Sequence, residues 1–218
     1  MKTFYSQFIS KNSLVFDVGA NIGNRTAMFA ELGRLVVAIE PQNTCMKTLW
    51  SKFVSNPKVV LIEKALGANE GSGVMTMANE NTISSLSPAW IEAVQRTGRF
   101  KGGRWEDKRH VEITTLDKLI ERFGVPDFIK IDVEGYEFEV LSGLSTQVPT
   151  LSFEFTPEYL GAAEKCLDRL YSLGFRRFNY SLKESMRMEP KLWLFHDEVM
   201  ALLKQYHDNQ TFGDVYAR

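Results

Sequence analysis

Four carboxylates in this chain stand where chemistry can be done. Asp17, Glu40, Asp132 and Glu154 each end a short apolar run: Leu14–Phe16, Leu35–Ile39, Phe128–Ile131 and Thr150–Phe153. Runs of that length read as strands covered on both faces. In an open parallel sheet the carboxyl ends of such strands share one crevice, and ligands bind there. Four acids at one edge repel each other, so something cationic or rich in hydrogen-bond donors belongs between them. A ligand with a charged amine and a ribose diol meets that need, and so does a metal ion.

The first acid opens the most informative stretch, Asp17-Val18-Gly19-Ala20-Asn21-Ile22-Gly23. A strand, a tight turn and a helix N-terminus in this order hold nucleotide-like ligands. Asp17 is expected to face the crevice. Gly19 is expected to let the backbone approach a ligand, and Gly23 to let the helix pack on the sheet. Glu40 follows Asp17 by 23 positions (40 − 17) and precedes Pro41. That spacing suits a carboxylate accepting both hydroxyls of a ribose. A dinucleotide site shows G-x-G-x-x-G. Here Asn21 replaces the middle glycine, and the acid before Gly19 would oppose a pyrophosphate. The turn therefore favours a phosphate-free cofactor that is positive at this end, S-adenosylmethionine, over NAD.

The elements that must position these residues follow from the pattern. A helical spacing over 3–10 is expected to cover one edge of the core. A helix over 22–32 with Gly33 as its stop comes next, then a helix capped by Asn43 or Thr44 and a strand over 59–62. This β-α-β-α-β order implies parallel strands with right-handed crossovers. The stretch from about 71 to 114 then departs from the pattern. A short strand over 74–77 and a brief helix from Pro88 to Val94 lead to residues 96–110, where six of fifteen are Lys or Arg, interleaved with Phe100 and Trp105. We read 96–110 as a loop suited to lie over a phosphorylated or sugar-bearing substrate. His110, at its end, could reach that substrate, and Ser84 and Ser85 fall near the crevice. A strand over 111–114, a helix near 116–123 with Thr114 and Asp117 in capping-box-like spacing, a long helix over 158–173, an amphipathic helix over 198–206 and a last strand at 214–217 complete the reading.

Composition sets bounds. At 218 residues one domain, 1–218, is expected. Lys and Arg number 26 against 27 Asp and Glu, so nothing global argues for nucleic acid as a partner. Cys45 and Cys166 read as buried free thiols, compatible with a reducing compartment. No signal-peptide-like core and no membrane-length apolar run is present, and the chain reads as cytoplasmic.

The motifs D-V-G-A-N-I-G-N, A-I-E-P, A-L-G, L-D-K-L and above all F-I-K-I-D-V-E-G-Y-E-F-E-V-L-S-G resemble the FkbM-type S-adenosylmethionine-dependent methyltransferases, over about residues 14–155 and again at Gly213–Val215. The resemblance implies a class I methyltransferase, a Rossmann-like α/β/α sandwich with a mostly parallel seven-strand sheet and an antiparallel last strand. It also implies O-methylation of a hydroxyl on a sugar, glycolipid or natural product. Carried over by position, Asp17 and Gly19 would hold the methionine amino group and Asn21 would line the same turn. Glu40 would bind the ribose, and Ala65 and Leu66 would border the adenine. Asp132 would lie beside the transferred methyl, and Glu134 and Gly135 would shape its loop. A sugar hydroxyl is a poor nucleophile, so a base or a metal is needed. Asp132 is the first candidate for base and Glu154 the second. A divalent ion bridging them is chemically sensible. An NAD-dependent oxidoreductase and a non-catalytic protein that kept the fold stay open as alternatives.

Overall fold

A computed structural model describes residues 1–218. The N-terminal helix is one turn, α1 (Lys2–Tyr5). It ends earlier than its spacing predicts, and its aromatic side chains pack on a sheet face instead of an edge. Tyr5 packs on Phe29, and Phe8 stacks on Phe128 at 5.4 Å and on Tyr216 at 5.3 Å. Next come β1 (Leu14–Val18), α2 (Asn24–Leu32), β2 (Leu35–Ile39), α3 (Asn43–Phe53) and β3 (Val59–Ile62). Helix α2 begins two residues later than expected because Gly23 is left-handed, with φ 84°. Helix α3 begins after Gln42 with no side-chain cap, so neither Asn43 nor Thr44 caps it.

The departure after β3 builds a second, smaller sheet. It holds β4 (Ala65–Leu66), β5 (Gly71–Ala78) and, after helix α4 (Pro88–Thr97), β6 (Trp105–Thr114), in the order β4-β6-β5. The expected loop over 96–110 is therefore corrected. Its first residues finish α4, and residues 105–110 form the first six residues of a ten-residue strand paired antiparallel to β5. Residues 106–110 are exposed, so no apolar alternation marked the strand; pairing with a strand some 35 positions away makes it.

The chain then returns to the main sheet through α5 (Leu116–Phe123), β7 (Phe128–Ile131), α6 (Glu137–Ser142), β8 (Thr150–Phe155), α7 (Leu160–Ser172), β9 (Phe178–Leu182), α8 (His196–Leu203) and β10 (Gly213–Ala217). Thr115 caps α5, its Oγ1 accepting from the Lys118 amide at 3.1 Å, one position after the expected Thr114. Glu154 lies inside β8 and not beyond its end.

The main sheet has seven strands in the order β3-β2-β1-β7-β8-β10-β9, and β10 runs antiparallel to both neighbours. Leu14, Phe16 and Val18 of β1 join Ile129, Ile131, Leu151 and Phe153 in one core with α5 to α8. Val15, Val36 and Phe128 point to the other face, against α1 and α2. The chain leaves β1 first toward β2 and later returns to its other side as β7. That switch opens a crevice at the carboxyl ends of β1 and β7.

Candidate active site

The crevice is a cavity of about 540 Å³, within the range of small-molecule sites. The turn after β1 supplies Gly19, Asn21 and Ile22. The end of β2 supplies Glu40 and Pro41, β4 supplies Ala65 and Leu66, and the loop after β7 supplies Asp132 and Glu134. Met75, Ser84 and Leu86 of the 71–114 region close the wall facing the main sheet.

Two glycines shape the turn. Gly19 has φ 81°, and a Cβ there would sit 1.8 Å from the carbonyl oxygen of Asp132. The end of β7 therefore requires glycine here, and the same residue lines the cavity. At Gly23 a Cβ would strike Leu49 and Phe53 of α3, so this glycine admits a neighbouring helix rather than the sheet. It does not line the cavity.

Glu40 is buried at the cavity wall. Its Oε2 accepts from the Asn21 amide at 2.9 Å and its Oε1 from the Gln42 amide at 2.8 Å. A carboxylate has about four acceptor positions, so each oxygen keeps capacity for a hydroxyl. Burial raises the Glu40 carboxyl to about 7, against the backbone hydrogen bonds that lower it. A ligand diol donates best to the ionised form. Because the free protein holds the proton up to about 7, S-adenosylhomocysteine affinity is expected to rise roughly tenfold between pH 6 and pH 8. Titration calorimetry across that range checks it, with Glu40→Gln expected to be weaker and flat.

The end of β7 carries the other half of the site. Lys130, in the run Phe-Ile-Lys-Ile, is 2% exposed. Its Nζ lies 3.1 Å from Asp132 Oδ2 and 2.9 Å from Asp214 Oδ1. Glu134 and Gly135 are both left-handed, with φ 54° and 87°. The loop keeps that shape because Glu137 Oε1 accepts the amides of Val133 and Gly135, and because Ser85 Oγ donates to the Glu134 carbonyl at 2.6 Å. Trp90 of α4 packs on Gly135 so closely that a Cβ there would lie 2.3 Å from it. Carboxylate oxygens of Asp132, Glu134 and Glu154 lie within 4.8 Å of one another. Burial, then the charge of Asp132, holds Glu134 and Glu154 well above the usual carboxylate range. Three carboxylates are a ligand set for a hard divalent cation.

The family model for the methyltransferase FkbM domain matches residues 17–208. The chain belongs to the FkbM methyltransferase family. The hexuronic acid methyltransferase AglP of Haloferax volcanii is 27% identical over 164 residues, 74% of this chain and 62% of that protein. The FkbM-family chain thus spans less than two thirds of the length of this curated relative. The methyltransferase FkbM structure from Methylobacillus flagellatus superposes with a TM-score of 0.55 at 16% identity, covering 98% of this chain and 48% of that one. The precorrin 8W decarboxylase of Methanobacterium thermoautotrophicum superposes with a TM-score of 0.50 at 14% identity, covering 100% and 88%. These likenesses establish the fold, a class I methyltransferase sandwich.

Within this FkbM-family fold the expected site residues separate. Gly19, Asn21, Glu40, Pro41, Ala65, Leu66, Ser84, Asp132 and Glu134 meet at one cavity. Asp17 does not face it. It is 1% exposed, and its Oδ2 accepts from Thr26 Oγ1 of α2 at 2.6 Å. Strand alternation sends Asp17 with Val15 toward the α2 layer, and burial raises its carboxyl to about 6. Glu154 lies outside the main cavity, on a void of about 10 Å³ beside Gly135 and Glu137. Ser85 is buried and supports the Glu134 loop. Trp105 donates to the Ile83 carbonyl at 2.7 Å and packs with Phe100 near Trp90, so it belongs to a local core. His110 is exposed on β6 opposite Val74, away from the cavity. The residues that sequence reasoning missed are Arg25, Lys130, Glu137 and Asp214. Lys130 had a signal, a lysine inside an apolar strand. Glu137 and Asp214 stand within the quoted motifs but had no role attached, because their partners lie on a loop of unforeseen shape or far away in sequence; Arg25 had no signal. No helix is long and apolar enough to cross a membrane.

Proposed function

We propose that this chain methylates a hydroxyl group of a sugar or related small molecule, with S-adenosylmethionine as donor. The observation that carries the reading is the meeting of the glycine turn, Glu40, Ala65–Leu66 and Asp132 at one cavity. The donor set fits that cofactor. Glu40 keeps acceptor capacity for a diol, Ala65 and Leu66 are apolar borders for a base, and the two cations on the wall, Arg25 and Lys64, are each paired with an acid. When bound, the cofactor supplies a methyl group on a sulfonium that transfers in line to a nucleophile. Glu40 would hold the ribose, and the Asn21 turn would fix the amino-acid end. Asp132 would take the proton of the attacking hydroxyl as the O–C bond forms and the C–S bond breaks. The relative named for hexuronic acid supports a sugar as acceptor, so acidic sugars head the panel to be tried.

Thermal shift gives the first test. S-adenosylhomocysteine is expected to stabilise the protein and NADH is not; stabilisation by NADH alone overturns the reading. Transfer of labelled methyl to a panel of uronic acids and hydroxylated sugars gives the second. The carboxylate trio favours one other means of activating the hydroxyl, a divalent cation on Asp132, Glu134 and Glu154. Turnover that survives EDTA supports the base, and loss restored by magnesium supports the cation.

A further inference from the structure

The turn after β1 leads into a cation on the cavity wall. Arg25, in the first turn of α2, lines the cavity with Asn21 and Asn24. Its guanidinium is mostly buried, 18% exposed, and its Nη2 contacts Glu184 Oε1 at 2.7 Å and Oε2 at 2.6 Å. Glu184 lines the same cavity but is 59% exposed. It stands in the segment after β9, between Lys183 and Met186, two non-glycine residues held left-handed at φ 51° and 50°. Such positions are strained. A mostly buried arginine on a ligand cavity thus has an exposed carboxylate on a strained segment as its acid partner, while its Nη1 contacts only Met1 Sδ at 3.1 Å. The other cation on the wall, Lys64, stands beside Ala65 and pairs with Glu112 on β6. Arg25 pairs instead with a residue that follows β9, at the opposite end of the sheet order from β3, the strand that leads to Ala65 and Leu66.

S-adenosylmethionine is zwitterionic at its amino-acid end. Glu40 would fix the ribose, and Ala65–Leu66 would fix the base on one side of it. The amino acid then extends along the turn that runs from Asn21 to Arg25. A guanidinium is matched to a carboxylate there. We infer that Arg25 is the receptor for the cofactor's α-carboxylate, and that Glu184 is a built-in stand-in for that carboxylate, displaced when cofactor binds. This rests on the methyltransferase reading proposed above. Glu184 then competes with the cofactor and sets its affinity, while its exposed side chain can turn to solvent once displaced.

Calorimetry with two probes tests the inference without an acceptor. S-adenosylhomocysteine carries the amino-acid carboxylate, and 5′-deoxy-5′-methylthioadenosine lacks the whole amino-acid end. Arg25→Ala is expected to weaken S-adenosylhomocysteine by about 10- to 100-fold and to leave methylthioadenosine unchanged. Glu184→Gln, a surface change that leaves the fold intact, is expected to tighten S-adenosylhomocysteine by about 2- to 5-fold with no effect on methylthioadenosine. Equal weakening of both probes in Arg25→Ala, or weaker S-adenosylhomocysteine binding in Glu184→Gln, overturns the inference. So does competition of D-glucuronate with S-adenosylhomocysteine in the unaltered protein that Arg25→Ala abolishes, which would assign Arg25 to an acidic acceptor. If the unaltered protein binds neither probe, the methyltransferase reading itself fails, a result distinct from all of these.

Discussion

Asp132→Ala is expected to slow methyl transfer by about 10²- to 10⁴-fold, the range a positioned general base contributes, with S-adenosylhomocysteine affinity changing far less. Asp132 follows a four-residue strand buried along its length. Its amide donates to the Val18 carbonyl at 3.0 Å, and its own carbonyl is the atom against which Gly19 packs. The backbone at 132 is therefore fixed to the cofactor turn from both sides. The carboxylate reaches the cavity wall, and Lys130 engages Oδ2. Oδ1 is left for a substrate hydroxyl. Asp132→Asn keeps the shape and can still accept from Lys130, but it cannot take a proton. It should fold normally and lose rate as fully as the alanine variant. Single-turnover transfer to whichever acceptor the panel identifies is the measurement. An Asp132→Asn protein at full rate would remove the base assignment.

Lys130→Met is expected to lower stability by about 3–5 kcal/mol, the cost of removing one partner from a buried ion pair. At this chain length that amounts to a fall of roughly 10 °C in Tm. The ammonium is 2% exposed, and Asp214 beneath it is 11% exposed. Methionine fills the volume but leaves the buried carboxylate of Asp214 without its ion-pair partner. The Tyr216 hydroxyl, 3.5 Å from Asp214 Oδ2, is too distant to take over. Adding Asp214→Asn to Lys130→Met removes the orphaned charge and should recover part of the loss. Urea denaturation at pH 7 of the single and double variants measures the difference. A loss below about 1 kcal/mol in Lys130→Met would show that solvent reaches the pair.

The pairing explains why a lysine interrupts an otherwise apolar strand. Lys130 stands opposite Asp17 on β1 and Ser152 on β8, on the face covered by α1 and α2. Asp214 arrives from the last strand, 84 positions later. No local pattern announces such a pair, because its members meet only when β10 inserts antiparallel between β8 and β9.

Much of the fold could be read from residues close together in sequence. Each strand of the β1–β3 unit is a continuous apolar run, and each crossover helix carries an apolar face. Covered strands and half-covered helices impose those patterns wherever they occur. The turn also gave its meaning locally. Asn21 in place of a middle glycine, with Asp17 two residues before Gly19, pointed to a phosphate-free cofactor, and Glu40 at ribose spacing pointed to a ribose; the family match agrees in placing the chain among methyltransferases, although Asp17 itself turns away from the cavity.

Orientation was beyond that reading. An acid at a strand end points to the crevice or to the neighbouring layer according to strand alternation and twist. Asp17 fell on the wrong side, while Glu40 and Asp132 fell on the right one. The β5–β6 ribbon was hidden for a related reason. Its strands are held by backbone pairing to a distant partner, with side chains in water, so no hydrophobic period is imposed on them. Residue types and spacing therefore named the cofactor class and the core of the sheet. The facing of each acid, the pairing of Lys130 with Asp214 and of Arg25 with Glu184, and the wall built by the 71–114 region depend on contacts between residues far apart in sequence, which exist only in the packed molecule.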